Sequence, residues 1–132
     1  MDLVVADSSF YIHALRAKYQ PFLEMERLAD RVEWATIGMI VLEVCRGLRE
    51  PALRDAFEER FSTMVYLETS NSVWECAARL AWELDRKGRV IPTQDIVIAA
   101  ACLTCGARLL TQDAHFSEIP GLAVVPALED LE

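Results

Sequence analysis

Leu3-Val4-Val5-Ala6-Asp7-Ser8-Ser9 decides how the rest of the chain is read. Four apolar residues run into a carboxylate and then two hydroxyls. A short, valine-rich apolar run bounded by polar residues predicts a buried strand over Leu3 to Ala6. Asp7 then stands at the strand's carboxyl end. Ser8 and Ser9 are good helix N-caps, so a helix should follow at once. Three further acids recur at comparable junctions: Glu43, Asp95 and Asp113.

Outward from this stretch, Phe10 to Tyr19 predicts a helix with Phe10, Ile12, Ala14, Leu15 and Ala17 apolar. Pro21 restarts a helix to about Ala29. Glu33 to Ile37 reads as a second strand, and Gly38 through Leu48 as a helix built around Glu43. Pro51 opens another helix, with Leu53, Ala56, Phe57 and Phe61 at helical spacing, and Met64 to Leu67 reads as a third strand. Ser72 with Glu75 three residues on suggests a capping box for a helix that stops near Gly88. Thr93 is the expected N-cap of the next helix, with Asp95 in its first turn. Ile96 to Leu103 is nearly all apolar, so this helix should be central and buried. Gly106 ends it. Arg108 to Thr111 is the fourth strand, leading to Gln112-Asp113, and Leu122 to Val125 the last. Alternating strands and helices predict a three-layer α/β/α sandwich with a mainly parallel central sheet, residues 1–132 forming one domain.

Composition sets the outer bounds. The chain is 53% hydrophobic and 26% charged, a globular balance that excludes disorder. No apolar run approaches the roughly 18–20 residues that span a membrane. The first apolar run is too short for a secretion signal, so a cytoplasmic location is expected. The four cysteines, Cys45, Cys76, Cys102 and Cys105, are then expected to be reduced and buried rather than bridged. Cys102 and Cys105 have the spacing of a redox pair but lie at a helix end without the N-terminal setting that activates a thiol. Net charge is −8, which argues against a nucleic-acid partner unless bound metal turns the site positive. Tyr11, Phe22, Trp34, Trp74 and Trp82 fit either a core or a partner face.

The four acids make sense together. Acids are rarely buried without partners. Ligands of parallel sheets bind beyond the carboxyl ends of the strands, where Asp7 and Asp113 fall. Two carboxylates about 4 Å apart repel by roughly 4 kcal/mol at an effective dielectric near 20, a cost that a cation relieves. All-oxygen ligands suit Mg²⁺ or Mn²⁺, and no His/Cys set has zinc spacing: His13 and His115 stand alone. Taken singly, Asp7 could cap a helix, Asp95 could serve a helix dipole, and Asp113 could organise a turn. Glu43 could pair with Arg46 or Arg49.

The pattern resembles PIN-domain ribonucleases, most closely the VapC toxins of toxin–antitoxin pairs. The matching stretches are Val4 to Ser9, Val41 to Leu48, Asp95 to Ala100 and Gly106 to Phe116. They cover essentially the whole chain in the family's order. The resemblance implies that Asp7, Glu43, Asp95 and Asp113 are the metal-binding and catalytic acids, with Ser8 and Thr111 supporting them. It implies Mg²⁺- or Mn²⁺-dependent endonucleolytic cleavage of RNA, a homodimer, and a cognate antitoxin that blocks the active-site groove. Many relatives carry an acid two residues after the last Asp, where this chain has His115; a surface turn residue is the expectation there. Arg46, Arg49, Arg16 and Lys18 are the basic residues best placed to touch RNA.

Other readings fit less well. A phosphatase of the dehalogenase type wants a second Asp where this chain has Ser9. A phosphoacceptor receiver domain wants paired acids after the first strand and a lysine after the fifth, and both are missing. A catalytically silent PIN-like binding module is opposed by the intact set of acids.

Overall fold

Valine and alanine side chains with no exposure drive the first strand into the centre of the molecule: Val4, Val5 and Ala6 are completely buried. They belong to β1 (Asp2–Ala6), the middle strand of a five-stranded sheet. The computed structural model describes all residues, 1–132. The chain continues through α1 (Ser8–Ala17), α2 (Pro21–Glu26), β2 (Val32–Ile37), α3 (Gly38–Arg46) and α4 (Pro51–Ser62). It then forms β3 (Val65–Leu67), α5 (Asn71–Arg86), α6 (Thr93–Cys105), β4 (Arg108–Leu110) and β5 (Val124–Val125). Short 3₁₀ turns cover Ala114–Glu118 and Leu128–Leu131.

The strand order is β3-β2-β1-β4-β5 and every pairing is parallel. From β1 the chain steps outward through β2 to β3, then returns across β1 to add β4 and β5. Right-handed crossovers therefore put α1 to α4 on one face and α5 and α6 on the other, giving the three-layer sandwich that the alternation predicts. The reversal of direction falls between β1 and β4, and in open parallel sheets that is where a crevice opens at the carboxyl ends.

One face is closed by aromatics. Tyr11 and Phe22 pack edgewise or tilted on Phe57 and Phe61, with ring centroids 5.0 to 5.7 Å apart for Phe22–Phe57, Tyr11–Phe61 and Tyr11–Phe22. The other face is closed by α6, where Ile98, Ala99, Ala100, Ala101 and Cys102 have no exposure. Small side chains let this helix lie close against the sheet.

Several local expectations are corrected. Asp7, not Ser8 or Ser9, is the N-cap of α1, and Ser8 is already helical. The cap of α5 is Ser70, whose hydroxyl accepts from Val73 N at 3.4 Å, so Ser72 and Glu75 form no capping box. Pro92 precedes α6 without a side-chain cap, and Thr93 is its first residue. The last strand is only Val124–Val125. Of the cysteines only Cys102 is buried; Cys105 is exposed, and all four are free. Burial pushes the Cys102 thiol up to about 12, which removes the reactive thiolate a redox pair needs. Tyr11 and Phe22 are core, whereas Trp74 and Trp82 are exposed on α5. No helix is long and apolar enough to cross a membrane.

Candidate metal site

β1 delivers Asp7 to the carboxyl edge of the sheet, 4% exposed. Its backbone N–H donates to Leu110 O of β4 at 3.0 Å, tying the ends of the two strands together. Asp7 Oδ1 accepts from Ser8 N at 2.8 Å. Oδ2 accepts from the hydroxyls of Ser9, at 2.9 Å, and Thr111, at 3.0 Å. Thr111 Oγ1 in turn accepts from Asp113 N at 3.1 Å. A buried carboxylate needs such donors, and these fix its orientation.

Glu43 is carried by α3, whose Ile40 and Val44 are buried and pin the helix to the core. One oxygen of its carboxylate lacks such support: Oε1 is buried and has no hydrogen-bond partner. Burial raises the Glu43 pKa, the charges of Asp7 and then Asp95 push the same way, and the Ser8 hydroxyl pulls it back. Neither Arg46 nor Arg49 pairs with it. Asp95 lies in the first turn of α6. Burial raises its pKa; the hydrogen bond to His115 opposes, and Asp113 and Asp7 push upward again.

Asp113 caps the 3₁₀ turn, accepting from His115 N at 2.9 Å. His115 Nδ1 is 3.2 Å from Asp95 Oδ2 and 3.4 Å from Asp113 Oδ1. The hydrogen bond to Asp95, then the charge of Asp113, raise its pKa. Asp95, Asp113 and His115 offer ligand atoms within 4.8 Å of one another. Asp7 and Glu43 stand outside that trio, although the charge of Asp7 acts on Asp95 and that of Asp95 on Glu43. His115 is thus the exposed turn residue expected, and in addition its ring contacts Asp95. The signal in the sequence was its place two residues after Asp113.

All four acids, with Ser8 and Thr111, line one cleft of about 720 Å³. Of the basic residues expected near substrate, Arg16 lines this cleft, together with His13. Lys18, Arg46 and Arg49 are exposed and do not line it. Lys18 instead ends α1 in a left-handed conformation, φ 60°. The donors fit a hard divalent cation: carboxylate and hydroxyl oxygens, one of them an orphaned buried carboxylate oxygen among like charges.

The chain belongs to the PIN-domain family, whose model matches residues 4–122. Its fold is that of VapC-type toxins. The VapBC2 complex of Rickettsia felis, bound to a DNA fragment from its promoter, is similar with TM-score 0.80 at 19% identity, over 93% of this chain and 97% of that one. VapBC-5 of Mycobacterium tuberculosis is similar at 0.66 and 26% identity, over 95% and 97%. VapC20 of the same organism, a Sarcin-Ricin loop cleaving toxin, is similar at 0.66 and 21%, over 93% and 99%. Comparison with curated protein sequences gives no match.

Proposed function

We propose that this chain is a divalent-metal-dependent endoribonuclease and the toxin of a VapBC-type pair. The observation that carries the reading is the buried, unpartnered Glu43 Oε1 facing the field of Asp7 and Asp95. A protein gains nothing for its own stability from four acids in one cleft, and a cation gives the arrangement a purpose. Similarity to toxin–antitoxin complexes and to a Sarcin-Ricin loop cleaving toxin supports the choice of RNA and of an antitoxin partner. A homodimer and a cytoplasmic location belong to the same proposal.

Asp7, Glu43, Asp95 and Asp113 would hold Mg²⁺ or Mn²⁺. Such an ion supplies activation of water for attack at phosphorus and neutralisation of the charge that gathers on the phosphate. The chain's own groups prepare the place for it. Ser9 and Thr111 hold Asp7 in one rotamer, so little order is lost when a ligand arrives. Ser8 modulates Glu43. Arg16, on the wall of the cleft, would meet the substrate backbone.

The test is cleavage of labelled, structured RNA by the purified protein, in Mg²⁺ or Mn²⁺ and in EDTA, beside Asp7→Asn. The expected result is metal-dependent cutting that falls at least a hundredfold in the variant. Equal cutting by Asp7→Asn, or cutting that survives EDTA, contradicts the reading.

A further inference from the structure

We infer that the corner joining α5 to α6, carrying Trp82, Arg86, Lys87 and Arg89, is the surface that receives the RNA strand flanking the scissile phosphate. The inference rests on the ribonuclease reading above and assigns the substrate a path outside the acidic cleft.

The first support is charge. In a chain of net charge −8, residues 79–89 hold four basic side chains, Arg79, Arg86, Lys87 and Arg89, against two acids, Glu83 and Asp85. All six are exposed. Elsewhere Arg27, Arg54, Arg60 and Arg108 are engaged by carboxylates, and the other unpaired cations, Arg16, Lys18, Arg31, Arg46 and Arg49, are spread along the chain rather than gathered within one stretch of eleven residues. None of the four forms a salt bridge, and three of them, Arg86, Lys87 and Arg89, gather at the corner itself. An acidic nuclease must attract a polyanion somewhere, and unpaired guanidinium and ammonium groups do so.

The second support is geometry. A link of six residues, Lys87 to Pro92, joins two helices that pack together, so the end of α5 lies beside the start of α6. Asp95 is in that first turn of α6. At about 3.8 Å per extended link and 1.5 Å per helical residue, the Cα atoms of Arg89 and Asp95 are within roughly 16 Å. That separation suits a phosphate a few nucleotides from the one being cut.

The third support is rigidity where a flexible loop would be the default. Gly88, at φ 75°, ends α5 in a turn closed by two hydrogen bonds: Gly88 N donates to Asp85 O at 3.0 Å and Arg89 N to Leu84 O at 2.9 Å. Ile91, buried, anchors the far side. In this motif the position of Arg89 commonly takes an apolar residue that packs back on the helix. A local rule broken at an exposed arginine points to function. Trp82, 60% exposed, carries the Arg86 guanidinium over one ring face at 4.9 Å from the centroid. Aromatic and guanidinium planes held together are a platform on which bases stack regardless of sequence.

The test is fluorescence anisotropy of a labelled, mixed-sequence single-stranded RNA across a range of KCl, in Mg²⁺, with Asp7→Asn as the uncut reference. Combining Arg86→Gln, Lys87→Gln and Arg89→Gln on that background should weaken binding at least tenfold. It should also reduce the slope of log affinity against log salt by about 2, because each phosphate neutralised on a single strand contributes roughly 0.7. Trp82→Ala should weaken binding about tenfold without changing the slope. Arg27→Gln, from a paired arginine, should do neither. In the cutting enzyme the triple change should raise KM and leave kcat within about twofold. Unchanged affinity and slope, beside a wild type that cuts RNA, overturns this surface alone. Unchanged affinity with an altered oligomeric state reassigns the corner to protein contact. Absence of both binding and cutting in the wild type sinks the nuclease reading and this surface with it.

Discussion

Glu43 is the residue on which the site's energetics turn. Its carboxyl is held above the ordinary range by burial first and by Asp7 second. The folded chain therefore keeps the Glu43 proton to higher pH than the unfolded chain does. Stability from the neutral form is fully present below the ordinary carboxylate range and is lost as pH rises through the raised value. In EDTA, Glu43→Gln should melt above wild type at neutral pH, and that advantage should vanish at about pH 3, below the ordinary carboxylate range, where the wild-type group is neutral in both states. Calorimetry at the two pH values reads this directly; an advantage that persists unchanged in acid contradicts it. The acids were legible because each interrupts an apolar or junctional pattern. The exposed position of His115 was readable, but its contact with Asp95 was not, because that contact joins residues twenty positions apart on separate elements. Nor could the sequence rank the arginines: which ones carboxylates engage depends on contacts as distant as Arg60 with Glu26.

At the scale of elements, the turn after α5 is the most exposed to a single change. Gly88 sits at φ 75° with open space around its Cα, so a methyl group meets no neighbour and only the backbone conformation resists it. Gly88→Ala should cost about 1–2 kcal/mol, which is roughly 3–6 °C in Tm for a chain of this size. Because Arg89 is aimed by that turn, the same variant should bind RNA more weakly than its stability loss explains. A Tm unchanged within a degree argues against a left-handed Gly88. Strands and helices were readable from period and from Gly and Pro punctuation, β1 and α6 most plainly. Their starts were less so. Asp7 caps α1 because its carboxylate reaches Ser8 N, although the two serines after it have equal intrinsic preference. Ser70 and Ser72 both stand near the start of α5, and the helix begins at the earlier one, whose hydroxyl accepts from the N–H of buried Val73.

For the whole molecule, the sheet order explains how distant acids meet. The chain leaves β1 in one direction and returns to its other side, so the carboxyl ends of β1 and β4 open a crevice between Asp7 and Asp113. Alternation of strands and helices made the parallel sandwich readable; the order of the strands needs the crossovers to be seen. The net charge of −8 is the global counterpart of this local crowding. A cation bound only by the folded chain stabilises it by mass action, about 2.7 kcal/mol at a hundred times Kd. That stabilisation requires the four acids to hold metal as one unit. Calorimetric titration of Mn²⁺ into wild type and Glu43→Gln tests this most directly. Saturable binding in wild type that weakens at least tenfold in the variant is the predicted result. No binding to the folded wild type, or equal binding in both, contradicts it.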